Sequence, residues 1–344
     1  MSDPYPLLDG FAMPAEWRPH SRCWMAWPVR LELWGAHHEA ACRAYARAAR
    51  AIAEFEPVTM LVLEGLEPVA RLQLGRKVEL LTCEFDDSWL RDTGPLFLCD
   101  GKGRLASLGF RFNAWGNKFH PYDKDARLAE TLAKHLGLRH YQAPLTLEGG
   151  AIDVDGEGTL LATEQCVFNA NRNPTLDRRQ VEERLALHLG ARRIIWLEAG
   201  LSGDGTDGHV DNLARFVAPG RVVCAATDDP LHPDHRLLAE CQRLLRRSSD
   251  ARGRKLEVVP LPLPRERPAD APAHYVASYA NFYLANSGVV LPSFGDAMDG
   301  PAQEILARLF PERRAVAVPA GDIVLGGGGL HCITQQQPLG RPAG

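Results

Sequence analysis

The sequence lacks the features that place a protein in a membrane or in an oxidising compartment. No apolar run is long enough to span a bilayer, and the N-terminal MSDPYPLLDG has no basic region followed by an apolar stretch, as a signal peptide would. The eight cysteines form no C-x-x-C pair and show no zinc-finger spacing with histidine. We therefore expect a cytoplasmic protein with reduced thiols and no membrane association.

Neither sign of charge predominates, since the net charge is only −4 over 344 residues. A nucleic-acid partner would favour a basic face, so we expect none. No low-complexity linker divides the chain, and the Pro-rich stretch at residues 261–272 is typical of a surface loop. We expect residues 1–344 to form a single domain, and the sequence leaves open whether it assembles as a homo-oligomer.

A recurring unit of two apolar strands joined by a Gly-containing turn is visible along the chain. Turns near Gly101, Gly156, Gly220 and Gly288 are separated by 55, 64 and 68 residues. Helices are predicted at residues 36–54, 123–137, 178–190, 232–248 and 301–309, so that one lies between successive units. Such a period favours repeated units that close on themselves, as in an α/β propeller, over unrelated hairpins in one large α/β domain. The four units are Leu96–Leu108, Ala151–Ala162, Leu213–Ala225 and Tyr279–Leu291, and a fifth would be split between Cys23–Val62 and Ile323–Thr334.

Cys332 is the first candidate for chemistry, because it follows the four-glycine run Gly326–Gly329. Glycines in such a run permit a sharp turn or a close approach of the backbone to another group. A nucleophilic cysteine needs a basic or cationic neighbour. If residues 330–334 are extended, His331 points away from Cys332, so the acid/base must come from elsewhere. Most of the other cysteines, among them Cys83, Cys99, Cys166 and Cys224, fit buried small apolar residues.

Three further clusters carry polar groups on loops or turns. His209 and Asp211, in GDGTDGHVDN, would share one face of a strand and suit either an acid/base pair or half of a metal site. Asp92 follows Trp89 in DDSWLRDTGP, where carboxylates beside an aromatic ring suit a planar guanidinium. Glu148 precedes Gly149 and Gly150, a pair that again permits close backbone approach. No second His/Asp cluster supports a metal site, so we expect no metal.

These motifs together resemble the agmatine deiminase branch of the guanidine-modifying, or pentein, superfamily. The matching stretches run along nearly the whole chain: MPAEWRPHSRCWMAWP, DDSWLRDTGP, LEGGAIDVDGEGTLLATEQC, NRNP, GDGTDGHVDN and GGGGLHCITQQQP. The resemblance implies a five-bladed pseudo-symmetric α/β propeller, the pentein fold, with its site at the centre. It also implies a cysteine-dependent hydrolase of polyamine biosynthesis that needs no cofactor.

The resemblance implies a role for each candidate residue. Cys332 would be the nucleophile and His209 the acid/base, while Glu148, Asp92 and Asp211 would bind the guanidinium nitrogens. Attack by the thiolate would release ammonia and leave a thiouronium that water cleaves, which turns agmatine into N-carbamoylputrescine. Trp89 and Trp115 would line the aliphatic chain of the substrate and support its cationic end.

Other functions stay open at this point. The segment Asn113–Pro121 departs from the longer Gly-rich loop of the family, so arginine, peptidyl-arginine or another guanidino compound competes with agmatine as the small-molecule substrate. An arginine deiminase needs a cation for the α-carboxylate, and Arg91 and Arg111 are available. Two alternatives of another class are a non-catalytic pentein-fold binding protein and a metal-dependent hydrolase that uses His209 and Asp211.

Overall fold

A computed structural model of the protein describes residues 5–269 and 271–343. Within these residues the chain forms small β-sheets with α-helices packed around them. The strands are β1 (Phe11–Ala12), β2 (His20–Ala26), β3 (Val58–Val62), β4 (Val78–Thr82), β5 (Leu96–Asp100), β6 (Arg104–Arg111), β7 (Arg139–Thr146), β8 (Ile152–Val154), β9 (Thr159–Thr163), β10 (Arg193–Leu197), β11 (Ala214–Ala218), β12 (Arg221–Ala226), β13 (Glu257–Pro262), β14 (Tyr283–Ala285), β15 (Gly288–Ser293), β16 (Arg314–Pro319), β17 (Gln335–Pro338) and β18 (Arg341–Pro342).

The helices fall mostly between strands of one sheet. They are α1 (Leu31–Trp34), α2 (His38–Ile52), α3 (Glu67–Leu74), α4 (Leu90–Thr93), α5 (Ala114–Asn117), α6 (Asp125–His135), α7 (Glu164–Val167), α8 (Arg178–Leu189), α9 (His235–Arg247), α10 (Asp299–Leu309) and α11 (Gly321–Val324). Short 3-10 helices cover Pro6–Asp9, Gly35–His37, Gly149–Ala151 and Val210–Asn212. No helix among the described residues combines the length and apolar character needed to cross a bilayer.

The strands are arranged in five sheets. Their strand orders are β17-β2-β3-β4, β1-β5-β6-β18 with β7 also on β6, β8-β9-β10, β11-β12-β13, and β14-β15-β16. In each sheet an antiparallel pair is followed by a parallel strand, for example β8 against β9 and then β9 beside β10. The helix that connects the second strand to the parallel third strand is α2, α6, α8, α9 or α10. The chain therefore repeats a strand–strand–helix–strand unit.

The four predicted hairpins and the five predicted helices are confirmed, with ends that move by a few residues. The predicted helix at residues 178–190 is α8, which begins with a capping box in which Asp177 and Gln180 satisfy each other's backbone N–H groups. It ends at Gly190, whose φ of 76° is the left-handed conformation that glycine adopts without strain.

The fifth unit is split, but its C-terminal part lies further along the chain than the sequence suggests. Residues 323–334 contain the end of α11 and a series of turns, because the four glycines in this segment disfavour a strand. The closing strand is β17, in which Gln335 pairs with Trp24 of β2 in antiparallel register. Residues near both ends of the chain thus form one sheet.

Apolar side chains are buried in five clusters between the sheets and their helices. In the first of them, the Ala-rich helix α2 buries Ala41, Ala44, Ala48 and Ile52, spaced three or four residues apart, together with side chains of β3. The small alanines let the helix lie close to the sheet. Cys83, which the sequence suggested to be buried, is partly exposed, whereas Cys99, Cys166 and Cys224 are buried as expected.

Candidate active site

Each sheet begins with an antiparallel strand, and a polar side chain lies a few residues before that strand. These residues are Asp92 before β5, Glu148 before β8, Asp211 before β11, Asn281 before β14 and Cys332 before β17. Four of them are buried, and the side chain of Asp92, in a partly exposed residue, is itself only 3% exposed. Each repeated unit therefore has one such polar residue at an equivalent position, in the turn before its first strand.

The turns that carry these residues contact one another in a closed series. The contacts are Asp92 Oδ1 with the Gly150 N–H at 2.9 Å, Glu148 Oε2 with His209 Nε2 at 3.5 Å, Asn212 Oδ1 with Asn281 Nδ2 at 3.0 Å, Asn281 Oδ1 with the His331 N–H at 2.8 Å, and the Cys332 carbonyl with the Arg91 N–H at 3.1 Å. Because the last turn touches the first, the five turns surround one common point.

Cys332 lies at this point on a turn, so the extended conformation expected for residues 330–334 is wrong. Its Sγ is 3.7 Å from Asp211 Oδ2 and accepts a hydrogen bond from Asn281 Nδ2 at 3.4 Å. Burial, together with the negative charges of Asp211 and Asp92, raises the pKa of the thiol well above its ordinary value. In the free protein the sulfur is therefore protonated at neutral pH.

His209 lies between two acids of the site. Its Nδ1 is 3.9 Å from Asp92 Oδ1 and its Nε2 is 3.5 Å from Glu148 Oε2. Burial disfavours the charged ring, but Asp92, Cys166 and Glu148 outweigh it and hold the pKa of His209 well above the usual value. The imidazole is thus ready to act as a proton donor.

Glu148 is fully buried and is fixed by a cation as well as by His209. The Arg172 Nε lies 2.8 Å from Glu148 Oε1, and Arg172 Nη1 lies 3.1 Å from Asp207 Oδ2. Arg172 belongs to the NRNP motif but was not identified from the sequence as a site residue. A buried carboxylate needs such a partner, since an unpaired charge in this position is costly.

Asp92 is oriented by a tryptophan on a strained turn. The Trp115 Nε1 donates to Asp92 Oδ2 at 2.9 Å, while the Gly150 N–H donates to the other oxygen. Trp115 has a φ of 54°, in the left-handed region that non-glycine residues rarely occupy. Burial raises the pKa of Asp92, and the nearby Glu148 and Asp211 raise it further against the effect of His209. The residue with the strained backbone, Trp115, is thus the one whose indole N–H binds Asp92.

Asp211 accepts a hydrogen bond from His331 Nδ1 at 2.8 Å through its Oδ2 atom. Burial alone would raise the pKa of Asp211, but the contact with His331 lowers it below the ordinary value. The other ring nitrogen of His331 lies 3.0 Å from Glu16 Oε2. His331 therefore does not contact the sulfur of Cys332 and instead supports the acid beside it.

A cavity of about 360 Å³ leads from the surface to Cys332 and Asp92. Trp89 and Trp115 line it, and so do Gly326, Gly327 and Gly328 of the glycine run. A Cβ atom at Gly328 would lie 2.6 Å from the Trp89 ring, which explains why this segment needs glycine. Lys118, which the sequence did not suggest as a pocket residue, also lines the cavity and binds Gly205 O and Asp207 Oδ1, each at 2.7 Å.

Two more residues of the site escaped prediction. Asn281 had no motif around it, and only its position before β14, equivalent to those of the other four polar residues, distinguishes it. Cys166 was expected to be a buried apolar residue, and it is buried, but its sulfur lies beside the ring of His209. Burial raises the pKa of Cys166, so the sulfur is a neutral neighbour of the imidazole.

The ligand atoms of Glu148, Cys166 and His209 lie within 4.8 Å of one another, a spacing that a metal ion could use. The fit is poor, because the neighbouring acids hold the pKa of His209 well above its usual value, and a protonated imidazole has no lone pair to offer a metal ion. The deep burial of Glu148 and His209 also removes the open coordination position that a catalytic metal needs. The arrangement is better suited to binding an organic cation between carboxylates.

Comparison with known proteins gives relatives along the whole chain. An agmatine deiminase of Pseudomonas aeruginosa is 42% identical over 368 residues, which cover all of both chains, and one of Ectopseudomonas mendocina is 43% identical, covering 98% of each. The solved structure of the agmatine deiminase of Enterococcus faecalis has a TM-score of 0.93 at 33% identity and covers 98% of this chain and 99% of its own. The model of the Porphyromonas-type peptidyl-arginine deiminase family matches residues 12–338. The chain therefore belongs to this family.

Proposed function

We propose that the protein hydrolyses agmatine to N-carbamoylputrescine and ammonia through a covalent intermediate on Cys332. The observation that carries this proposal is the meeting of one thiol, one protonated imidazole and three carboxylates where a cavity lined by Cys332 and Asp92 ends. Full-length relatives with this activity in their names support it. A guanidinium is planar and cationic, and carboxylates bind it through pairs of N–H groups.

In this proposal Asp92, Asp211 and Glu148 bind the nitrogens of the guanidinium and hold its carbon beside Cys332. Fixing the two reactants in this way replaces a bimolecular encounter by a local step. The substrate also changes the ionisation of the thiol. Its positive charge offsets Asp92 and Asp211, whose charges raise the pKa of Cys332, so binding favours loss of the thiol proton to solvent and leaves the thiolate that attacks.

His209 provides the proton that the leaving group needs. The thiolate forms a bond to the guanidinium carbon, and protonated His209 gives its proton to a nitrogen, so that ammonia leaves and a thiouronium remains. The neutral imidazole then takes a proton from water, which attacks the same carbon and releases the sulfur. The pKa of His209, held well above its usual value, agrees with the first of these two tasks.

Agmatine fits the cavity better than free arginine does. The cavity wall carries the rings of Trp89 and Trp115, which suit an aliphatic chain that ends in an ammonium. Among the described residues that line the cavity, Lys118 is the one lysine or arginine, and Asp207 and a backbone carbonyl already bind it. An α-carboxylate in this partly closed cavity would remain poorly paired, at a cost on the order of several kcal/mol.

We further propose that the five sheets are the blades of one propeller, the pentein fold, formed by a single domain over residues 1–344. The closed series of contacts among the five turns supports this architecture, as does the repeated strand–strand–helix–strand unit. The antiparallel pairing of β17 with β2 would join the last blade to the first.

The test is ammonia release from a panel that contains agmatine, arginine and an N-acylated arginine amide. We expect agmatine to give the highest kcat/KM, and Cys332→Ser to abolish turnover while the circular dichroism spectrum stays that of a folded protein. Dialysis against a strong chelator should leave the rate unchanged. Wild-type activity in Cys332→Ser would refute the covalent mechanism, and a loss restored by zinc would favour a metal-dependent hydrolase.

Peptidyl-arginine is the second candidate substrate. A wider depression of about 800 Å³ adjoins the catalytic cavity and shares Leu33 and His274 with it, which leaves room for a larger group outside the cavity. If the N-acylated arginine amide equals agmatine in kcat/KM, this second candidate replaces the first while the deiminase chemistry stands.

A further inference from the structure

A row of buried charged groups extends from the nucleophile away from the substrate cavity. Cys332 Sγ lies 3.7 Å from Asp211 Oδ2, which accepts a hydrogen bond from His331 Nδ1 at 2.8 Å. His331 Nε2 lies 3.0 Å from Glu16 Oε2, and Glu16 forms an ion pair with Arg215. The reaction proposed above assigns no role to His331 or to Glu16.

The geometry requires positive charge on His331. Both of its ring nitrogens face carboxylate oxygens within 3.0 Å, and a neutral imidazole would direct a lone pair at one of them. Both acids have cations besides His331 that favour their anionic form, because Arg215 forms an ion pair with Glu16, and His209 and Arg215 act on Asp211. The ring therefore donates two charge-assisted hydrogen bonds.

The two oxygens of Asp211 have different surroundings. His331 binds Oδ2, whereas Oδ1 is buried and, among the described residues, has no hydrogen-bond partner. A buried carboxylate oxygen without a partner is rare, and a ligand with N–H groups would satisfy it. The contact with His331 thus sets the direction in which the second oxygen points.

We propose that His331 is a positioning residue that keeps Asp211 ionised and aims its free oxygen at the substrate guanidinium. This inference rests on the function proposed above for Cys332 and Asp211. It assigns a task to the histidine beside the nucleophile that differs from acid/base catalysis. Glu16, in turn, anchors the ring from the side opposite Asp211.

The charged groups around this pair come from four parts of the chain. His209 and Arg215 act on Asp211, and Cys332 lies against it. Arg215 and Arg91 act on Glu16, and the Arg91 Nε contacts the His331 carbonyl at 3.3 Å. All of these groups stay in place when only the His331 side chain is changed, so an altered pH response reports on the imidazole itself.

The experiment compares His331→Asn with His331→Gln. The amide nitrogen of asparagine can take the place of Nδ1 and keep a neutral hydrogen bond to Asp211, whereas that of glutamine corresponds to Nε2 and keeps only the contact with Glu16. We expect kcat/KM for agmatine to fall about 10- to 100-fold in His331→Gln and less in His331→Asn. If His331 served packing alone, the order would reverse, because asparagine leaves the larger cavity.

The pH profile adds a second readout. Without the imidazolium, Asp211 binds a proton more readily, so the acid limb of kcat/KM should move to higher pH in both variants. His188→Gln is a matched control, because His188 is a buried histidine on α8, outside the site. It should lower thermal stability without changing the profile. An acid limb that coincides with that of the wild type in both His331 variants would overturn the proposal.

A substrate-free measurement separates this inference from the proposed function. Alkylation of Cys332 by iodoacetamide, followed by mass spectrometry of its peptide, needs no agmatine. Loss of the cation should move the pH at which Cys332 reacts upward in both variants, whichever guanidino compound is the substrate. An alkylation profile that is the same in the variants and the wild type would refute the role of His331. If the wild type does not hydrolyse agmatine but the variants still show the shifted profile, only the proposed substrate would be refuted. If neither variant folds, Glu16→Gln should shift the same profile, and its failure to do so would also refute the proposal.

Discussion

Asp92 and Asp211 are buried acids whose environments push their pKa values in opposite directions. Burial and neighbouring acids raise the pKa of Asp92, whereas His331 lowers that of Asp211. We expect Asp92→Asn and Asp211→Asn each to reduce kcat/KM by an amount equivalent to about 2–4 kcal/mol, because each replaces an anionic acceptor that faces a cation. Steady-state kinetics with agmatine would measure the loss. Near-normal kinetics in either variant would remove that residue from the substrate site.

Arg172 balances the charge of Glu148 in the interior. Arg172→Met would leave this carboxylate buried beside His209 without its guanidinium partner, and breaking a buried pair costs about 3–5 kcal/mol of unfolding free energy. Arg178→Met is a suitable control, since Arg178 pairs with Glu164 at the surface and an exposed pair contributes about 0–1 kcal/mol. Urea unfolding of the two variants would show the difference. Equal midpoints would contradict a structural role for Arg172.

At the scale of single residues, the sequence predicted the site where a motif surrounds the functional group. Cys332, His209 and Glu148 each follow or precede glycines whose backbone must approach another group closely, and this requirement is visible in the sequence. A Cβ atom at Gly150, for instance, would lie 2.6 Å from His209 Nδ1. Asn281 has no such neighbours, since it lies in the apolar stretch YANFYL. Only the equivalence of the five turns before the sheets identifies it.

Elements were predicted well where single glycines end a helix or form a turn, and poorly where glycines are consecutive. Helix α2 follows from its alanines without Gly or Pro, α8 from a segment that ends at Gly190, and the hairpin β11–β12 from two apolar runs joined by a Gly-containing turn. The segment at residues 323–334 does not, because its conformation depends on contacts with Trp34 and Trp89 on distant parts of the chain. Local patterns hold no information about such contacts.

The first turn of α6 contains a carboxylate that should affect stability as a function of pH. Asp125 accepts the N–H groups of Asp86 and Asp87 at 2.8 and 3.3 Å, yet burial, with the charge of Asp87, raises its pKa to about 8. The folded state thus holds the proton more tightly than the unfolded state does. This contribution to stability is fully present below the ordinary pKa of about 4 and is lost as the pH rises through about 8.

Asp125→Asn keeps an oxygen for the two N–H groups and removes the titration. We therefore expect the melting temperature of the variant, relative to the wild type, to rise steadily between pH 4 and pH 8. Differential scanning calorimetry across this range would test it. A difference between the two proteins that does not vary with pH would show that Asp125 does not hold its proton in the folded state.

For the molecule as a whole, β17 joins residues from the two ends of the chain in one sheet. A chain that ends at Thr334 keeps every proposed catalytic residue but loses β17, so β2 is left with an open edge. We expect it to be inactive and prone to aggregation. A chain that ends at Gly340 loses only β18, an exposed two-residue edge strand, and should keep most of its activity. Size-exclusion chromatography and ammonia release would compare the two, and an active chain ending at Thr334 would show that closure by β17 is dispensable.

The pairing of Gln335 with Trp24 also affects when the protein acquires activity during its synthesis. At about 5–20 residues per second, a ribosome needs roughly 15–60 s to proceed from residue 24 to residue 335. Throughout that interval the nascent β2 has no partner on the side where β17 will bind. The thiol of Cys332 is made only three residues before the closing strand begins, so it meets its acids when nearly the whole chain exists. A ribosome that stalls earlier releases a chain that cannot attack a guanidinium.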